Sequence, residues 1–233
     1  MFFNEWEEAI NTNKSDYEFI KAFLCTEDGE CADYQDRDDE YISTLVRVIT
    51  RIPTKQFFEV LRDIKIRDYF ESYEIPIFNN WEFAMNRVPE LLQFDEEGLT
   101  FKKLGSKLIG NDNAVNTQKY GEVSAKVAAL MKLAMIIRSK PQRAKSTNLG
   151  RYLIGYDIEK KRTLVKPILL QNPFVQSVVY HALYSEGFQY LTWVSILSDT
   201  TRMRRRQNTR SLLSFILDGT GEEERFDHII WRL

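Results

Sequence analysis

Apolar residues recur at helical spacing along most of the chain. Phe3, Trp6 and Ile10, then Tyr17, Ile20 and Leu24, then Leu45, Val48 and Ile52 each mark one face of a helix, and Pro53 stops the third run. Thr54 can cap a following helix with Phe57, Leu61 and Ile64 on one side. Between the second and third runs, Glu27 to Glu40 holds Asp28, Glu30, Asp33, Asp36, Asp38 and Asp39 with almost nothing apolar, the composition of a solvated loop. Its acids lack the alternate spacing, central Gly and closing Glu of an EF-hand calcium loop. From Ile64 to Phe83 aromatics scatter among charges around Pro76 and Asn79-Asn80, which predicts short helices and loops. Pro89 through Gly98 then reads as a boundary.

Beyond it, Leu99 to Ile109 predicts a short amphipathic helix closed by Gly110. Asn116 or Thr117 can cap a longer one, with Val123, Val127, Leu130 and Ala134 inward and Lys119, Glu122 and Lys126 outward. Met135 to Arg138, Ser139 to Lys145 and Ser146 to Asn148 read as strand, basic hairpin tip and strand. Helix, turn, helix, basic wing is the order of a winged helix. Asp157 can cap a helix from Ile158 to Gln171 that Pro167 kinks, and Asn172-Pro173 opens another that Gly187 can end. Tyr190 to Leu197 is helical in pattern. Gln207-Asn208-Thr209 can cap a helix burying Leu212, Leu213, Ile216 and Leu217, and Arg225 to Leu233 partly alternates like a strand. The expected architecture is mainly α: an acidic helical domain (1–96), a winged helix (97–155), a helical connector (156–187) and a second winged helix (188–233), with small β wings.

Composition sharpens this picture. The 233 residues are 43% hydrophobic and 13% aromatic, as in folded globular chains. The longest uncharged stretch, Pro167 to Ser185, carries too many polar residues for a bilayer span, and no basic-then-apolar leader opens the chain. With Cys25 and Cys31 the sole cysteines, a disulfide framework is not expected, and a reducing cytoplasmic home is the default. The net charge of −2 hides a split: residues 1 to 100 hold 10 Lys+Arg against 23 Asp+Glu, and 101 to 233 hold 22 against 11. Such polarity suggests a basic half facing a polyanion, and an acidic half, 1–96, available to a protein partner.

Candidate contacts with double-stranded DNA follow from these two patterns. Gln118, Lys119 and Lys126 stand on the exposed face of the first long helix, and Lys140, Arg143 and Lys145 in its wing can reach flanking phosphates. Arg202, Arg204, Arg205, Arg206 and Arg210 form the densest positive charge, and guanidinium suits phosphate because its planar donors bind oxygens in pairs. Glu222, Glu223 and Glu224 in the second wing would repel a backbone. Residues for chemistry are sparse. His181 and His228 lack partners at triad spacing, no phosphate-binding glycine loop or cofactor motif appears, and the metal ligands are too few for a standard zinc site. Glu159-Lys160-Lys161 matches the Glu-x-Lys fragment of magnesium-dependent nucleases, but at the first turn of a helix, where acids belong anyway.

Leu99-Thr-Phe-Lys-Lys-Leu-Gly, Lys119-Tyr-Gly-Glu, Ala125-Lys-Val-Ala-Ala-Leu, Thr147-Asn-Leu-Gly-Arg, Asp157-Ile-Glu-Lys-Lys-Arg and Asn172-Pro together resemble the winged-helix regions found beside restriction-type nucleases and other prokaryotic defence proteins. The likeness covers about residues 97 to 233. It implies a DNA-recognition or regulatory module, with Lys119, Lys126, Arg143, Arg204, Arg205 and Arg206 as contacts, while a separate nuclease or ATPase does the chemistry. The expected function is therefore non-catalytic duplex-DNA binding. A protein-interaction adaptor, or a divergent magnesium-dependent nuclease, is the alternative.

Overall fold

A computed structural model describes residues 15–25, 36–111 and 115–232. The expected helix of Phe3, Trp6 and Ile10 and most of the acidic loop lie outside the described residues. The fold is mainly helical with two small sheets. In chain order the helices are α1 (Asp16–Leu24), α2 (Asp39–Arg51), α3 (Thr54–Val60), α4 (Trp81–Leu92), α5 (Phe101–Ile109), α6 (Thr117–Leu130), α7 (Asn148–Leu153), α8 (Ile158–Leu169), α9 (Pro173–Tyr184), α10 (Tyr190–Trp193) and α11 (Asp199–Leu217). The strands are β1 (Leu99–Thr100), β2 (Ala134–Ile137), β3 (Arg143–Ser146), β4 (Phe188–Gln189) and β5 (Ile229–Ile230), and 3-10 turns occupy Leu61–Asp63 and Glu223–His228.

The chain divides into two compact units, and neither is a continuous stretch. A hairpin unit takes Cys31–Val46 and Asn80–Val165; an arginine unit takes Met1–Glu30, Arg47–Asn79 and Lys166–Leu233. The boundary expected at 96/97 is therefore not where the chain divides, because α4 packs with the basic segment that follows it. The charge split changes with it. The arginine unit holds 16 basic against 20 acidic residues and the hairpin unit 16 against 14, so −13 and +11 along the sequence become −4 and +2 in space.

In the hairpin unit, α4 starts at Asn80, whose side chain accepts from Phe83 N at 3.1 Å, and it runs on through the buried Pro89 to Leu92. The expected boundary from Pro89 to Gly98 shrinks to the turn after this helix. Strand β1 leads directly into α5, whose N-cap Thr100 accepts from Lys103 N and whose end is the left-handed Gly110 (φ 73°). Strands β2 and β3 form an antiparallel hairpin, Ala134 opposite Ser146 and Ile137 opposite Arg143, and β1 adds to β3 with Leu99 opposite Ala144. The second strand is Arg143–Ser146, mostly within the expected tip, and the expected strand 146–148 gives way to α7, which Thr147 caps.

Helices α5 and α6 touch backbone to backbone. A Cβ on Gly105 would stand 1.8 Å from the Thr117 carbonyl oxygen, and one on Gly121 would stand 2.0 Å from that of Phe101. This close approach turns Gly121, Ser124, Ala125, Val127 and Ala128 inward and leaves Val123 and Leu130 partly exposed. The inward face of α6 is thus rotated from the one that the larger apolar residues predict.

In the arginine unit, α9 is the hub. Asn172 accepts from Phe174 N and Val175 N ahead of Pro173, as its sequence predicts, and Phe174, Val175, Val178, Val179 and Ala182 are buried. The end of α1 is met here: Gln171 donates to the Phe23 carbonyl at 3.0 Å and Gln176 to that of Leu24 at 2.7 Å. Of the segment expected as a connector, 156–187, the part from Lys166 on belongs to this unit and supplies its hub, while 156–165 belongs to the hairpin unit. Helix α11 begins at Asp199, well before the expected cap at Gln207, because Ser198 with extended ψ already turns the chain and arginine favours helix. The expected second wing is not a hairpin: Glu223–His228 forms a 3-10 turn, and β5 pairs with β4 in parallel, Phe188 opposite Ile229.

Gly121→Ala should lower the unfolding free energy by about 3 kcal/mol or more, since two backbones must part. Gly110→Ala, with nothing within 4 Å of its Cβ, should cost only the left-handed penalty of about 1 kcal/mol. Urea denaturation of both variants checks the difference.

Candidate nucleic-acid interface

The exposed face of α6 carries Gln118, Lys119 and Lys126, with half-buried Glu122 between them. Both lysines pair with that carboxylate, Lys119 at 3.3 Å and Lys126 at 2.6 Å, and the Lys126 ammonium is the main cause that holds Glu122 below the usual carboxylate range. The face is therefore less positive than its lysines alone suggest. On α5, Lys102, Lys103 and Lys107 are exposed, and on the hairpin tip Arg138 and Lys140 are exposed as well. Lys145 lies half-buried within β3. Arg143 differs from expectation: it donates to the Gly98 carbonyl at 3.2 Å and pairs with Glu97 at 3.3 Å, fastening β1 to β3. A side chain placed so serves the sheet first.

The arginine run separates into different roles. Arg202 pairs with Asp199 one helical turn before it and donates to the Leu191 carbonyl. Arg204 is exposed. Arg205 is buried at 8% exposure and donates to both the carbonyl (2.9 Å) and the hydroxyl (3.2 Å) of Ser72. Burial lowers its guanidinium below the ordinary value, and beside it burial pushes the Tyr190 hydroxyl, hydrogen-bonded to Thr209, up to about 12. Arg205 is a tie within the fold and offers no free fork to a phosphate. Five arginines close in sequence cannot share one side of a helix at 100° per residue, which is why the run does not act as one patch.

Arg206 and Arg210, one turn apart, do share a side. Arg206 donates to the Trp231 carbonyl at 3.3 Å, while Arg210 lies over the rings of Phe226 and Trp231 at 5.1 and 5.5 Å. With Gln207 and Arg232 they line one cleft. The sequence reading missed Gln207 and Arg232. An arginine beside Trp231 at the far end of the unit gave no local signal for this meeting.

The other candidate chemistry is occupied by the fold. Glu159 pairs with Arg162 at 3.1 Å, and buried Lys161 donates to Asn86 at 2.9 Å, so the Glu-x-Lys fragment is split between two structural contacts. Among the described residues no group of three or more His, Cys, Asp and Glu gathers as metal ligands. Glu222 pairs with Lys55 at 2.6 Å and Arg225 at 3.2 Å, and Glu223 accepts from the backbone of Thr220 and Gly221, so those acids stabilise the turn. No helix of the described residues is long and apolar enough to cross a membrane. The chain matches no family model, no curated protein and no solved structure.

His181 stacks on Phe188 at 3.7 Å with Asp68 3.4 Å from its Nε2. Desolvation lowers the imidazole below its ordinary 6.5 and outweighs the opposing pull of Asp68. The unfolded chain then takes up the proton first, so the stability from neutral His181 is present above pH ~6.5 and is lost as pH falls through that value towards the folded one. Thermal unfolding from about pH 7.5 to 5 should show this decline, and His181→Gln should flatten it. For the ion ties, Arg205→Ala should cost about 2 to 3 kcal/mol of stability by orphaning the Ser72 carbonyl. Calorimetric unfolding measures that loss.

Proposed function

We propose that the protein is a non-catalytic duplex-DNA-binding protein whose hairpin unit is a winged helix. The observation that supports this reading is the order α4, β1, α5, α6, β2, β3 with sheet order β1-β3-β2, the element order a winged helix would have. It supports a module that begins near residue 80, with α4 as its first helix, rather than at 97. In such a module the second helix of the pair enters the major groove. Gln118, Lys119 and Lys126 on α6 are then the groove-facing residues, and Lys140, with Arg138, reaches phosphate from the wing. By its resemblance to modules of prokaryotic defence proteins, the chain works as a recognition or regulatory subunit beside a catalytic partner.

A protein-interaction adaptor is the second reading. The pairing of both α6 lysines with Glu122 favours it, because a face already balanced internally suits a mixed protein surface as well as a phosphate backbone.

The test uses the full chain, because a fragment starting at 97 lacks α4 of its own unit. A labelled duplex titrated at two salt concentrations should bind the Lys119→Ala, Lys126→Ala double variant roughly tenfold more weakly, with a log-log salt slope reduced by about 2. Glu122→Gln should tighten binding by removing the repelling carboxylate. Equal affinity of all three proteins would reject the DNA reading and leave the adaptor.

A further inference from the structure

We propose that Arg206, Gln207, Arg210 and Arg232 form a site for a phosphate group carrying two or more negative charges. The site belongs to the arginine unit and does not depend on the duplex reading of the hairpin unit. It is a cleft of roughly 250 Å³ lined by these four side chains, smaller than the ~300 to 1,000 Å³ of pockets that enclose drug-sized ligands. A charged head group fits that size.

The lining is cationic without compensation. Among the described residues no carboxylate lies within 4.0 Å of Arg206, Arg210 or Arg232. Several exposed basic residues elsewhere, Lys55, Arg67, Arg87, Lys119 and Lys126, pair with acids; here three guanidinium groups meet on one cleft without such a partner. Three guanidinium groups on one cleft repel one another, and an anion between them removes that cost.

Two of the three are also positioned in advance. The Trp231 carbonyl holds Arg206, and the faces of Phe226 and Trp231 hold Arg210. A guanidinium already ordered by a carbonyl or an aromatic face loses less freedom when a ligand binds. Trp231 is itself buried at 6% exposure and its indole nitrogen donates to the Phe226 carbonyl, so the platform under the arginines is fixed.

The donor set selects phosphate over carboxylate. A carboxylate offers one charge and two oxygens, which one arginine fork satisfies, whereas a phosphate ester offers nearly two charges and three acceptor oxygens. Three forks and the Gln207 amide match the second, and a diphosphate most fully. The same chemistry comes from two sources, the terminal phosphate of a nucleic-acid strand or a small phosphorylated molecule.

Isothermal titration of the full chain with inorganic pyrophosphate, at constant ionic strength, should give saturable binding at one site. Arg232→Gln and Gln207→Glu should each weaken it roughly tenfold or more, with the ligand-free unfolding temperature unchanged, since both side chains are exposed. Absence of saturable heat, or equal affinity in both variants, overturns the proposal. Displacement of pyrophosphate by a 5′-phosphorylated oligonucleotide, but not by its unphosphorylated twin, assigns the strand end. Displacement by neither assigns the small molecule, and equal displacement by both overturns a terminal-phosphate site in favour of unselective backbone contact.

Discussion

The hairpin unit depends on two glycines. At Gly105 and Gly121 the backbones of α5 and α6 meet with no room for a side chain, and everything distal to that crossing takes its position from it. Because the contact needs only small residues, α6 buries glycine, serine and alanine and keeps its long polar side chains for the outside. Gly150 makes a third such approach, to the Leu133 carbonyl, which brings α7 against the chain entering the hairpin. Close packing, rather than a thick apolar seam, thus sets where the lysines of this unit stand.

Charge is distributed by the fold and not by the sequence halves. Acidic residues of the first hundred join basic residues farther along the chain: Asp36 accepts from Asn148 N and pairs with Arg151, Glu82 pairs with Arg162, and Glu97 with Arg143. Grouped by unit rather than by half, the split of −13 and +11 shrinks to −4 and +2. Among the described residues, local clusters of basic residues without an acid partner remain, including the α5 lysines and hairpin tip in one unit and the Trp231-backed arginines in the other. Local excess carries more information about ligands than the net charge of a long segment does.

Local rules of helix and turn were legible in the residues. Asn172-Pro173, Thr100 and Gly110 mark the ends that their chemistry implies, and a hairpin forms after α6, although its second strand falls at Arg143–Ser146, mostly within the stretch read as the tip. What the sequence hid were long-range partnerships. A buried proline inside α4, the backbone contact of α5 with α6, and the parallel pairing of β4 with β5 all depend on neighbours far away in the chain. For the same reason the arginine run was read as one patch. Its members alternate between the Ser72 carbonyl, an aspartate of their own helix and an aromatic platform, none of which sequence spacing can announce.

The interleaving of the two units also bears on how the chain is made. Every described strand of the hairpin unit, and its helices α4 to α7, have been synthesised by Val165, whereas the arginine unit lacks its hub until the Lys166–Leu233 segment emerges. During translation, therefore, one unit can close around its glycine crossing while α1 and α3 still wait, their apolar faces uncovered, for α9 to arrive. A chaperone that shelters nascent chains would find its substrate in those early helices.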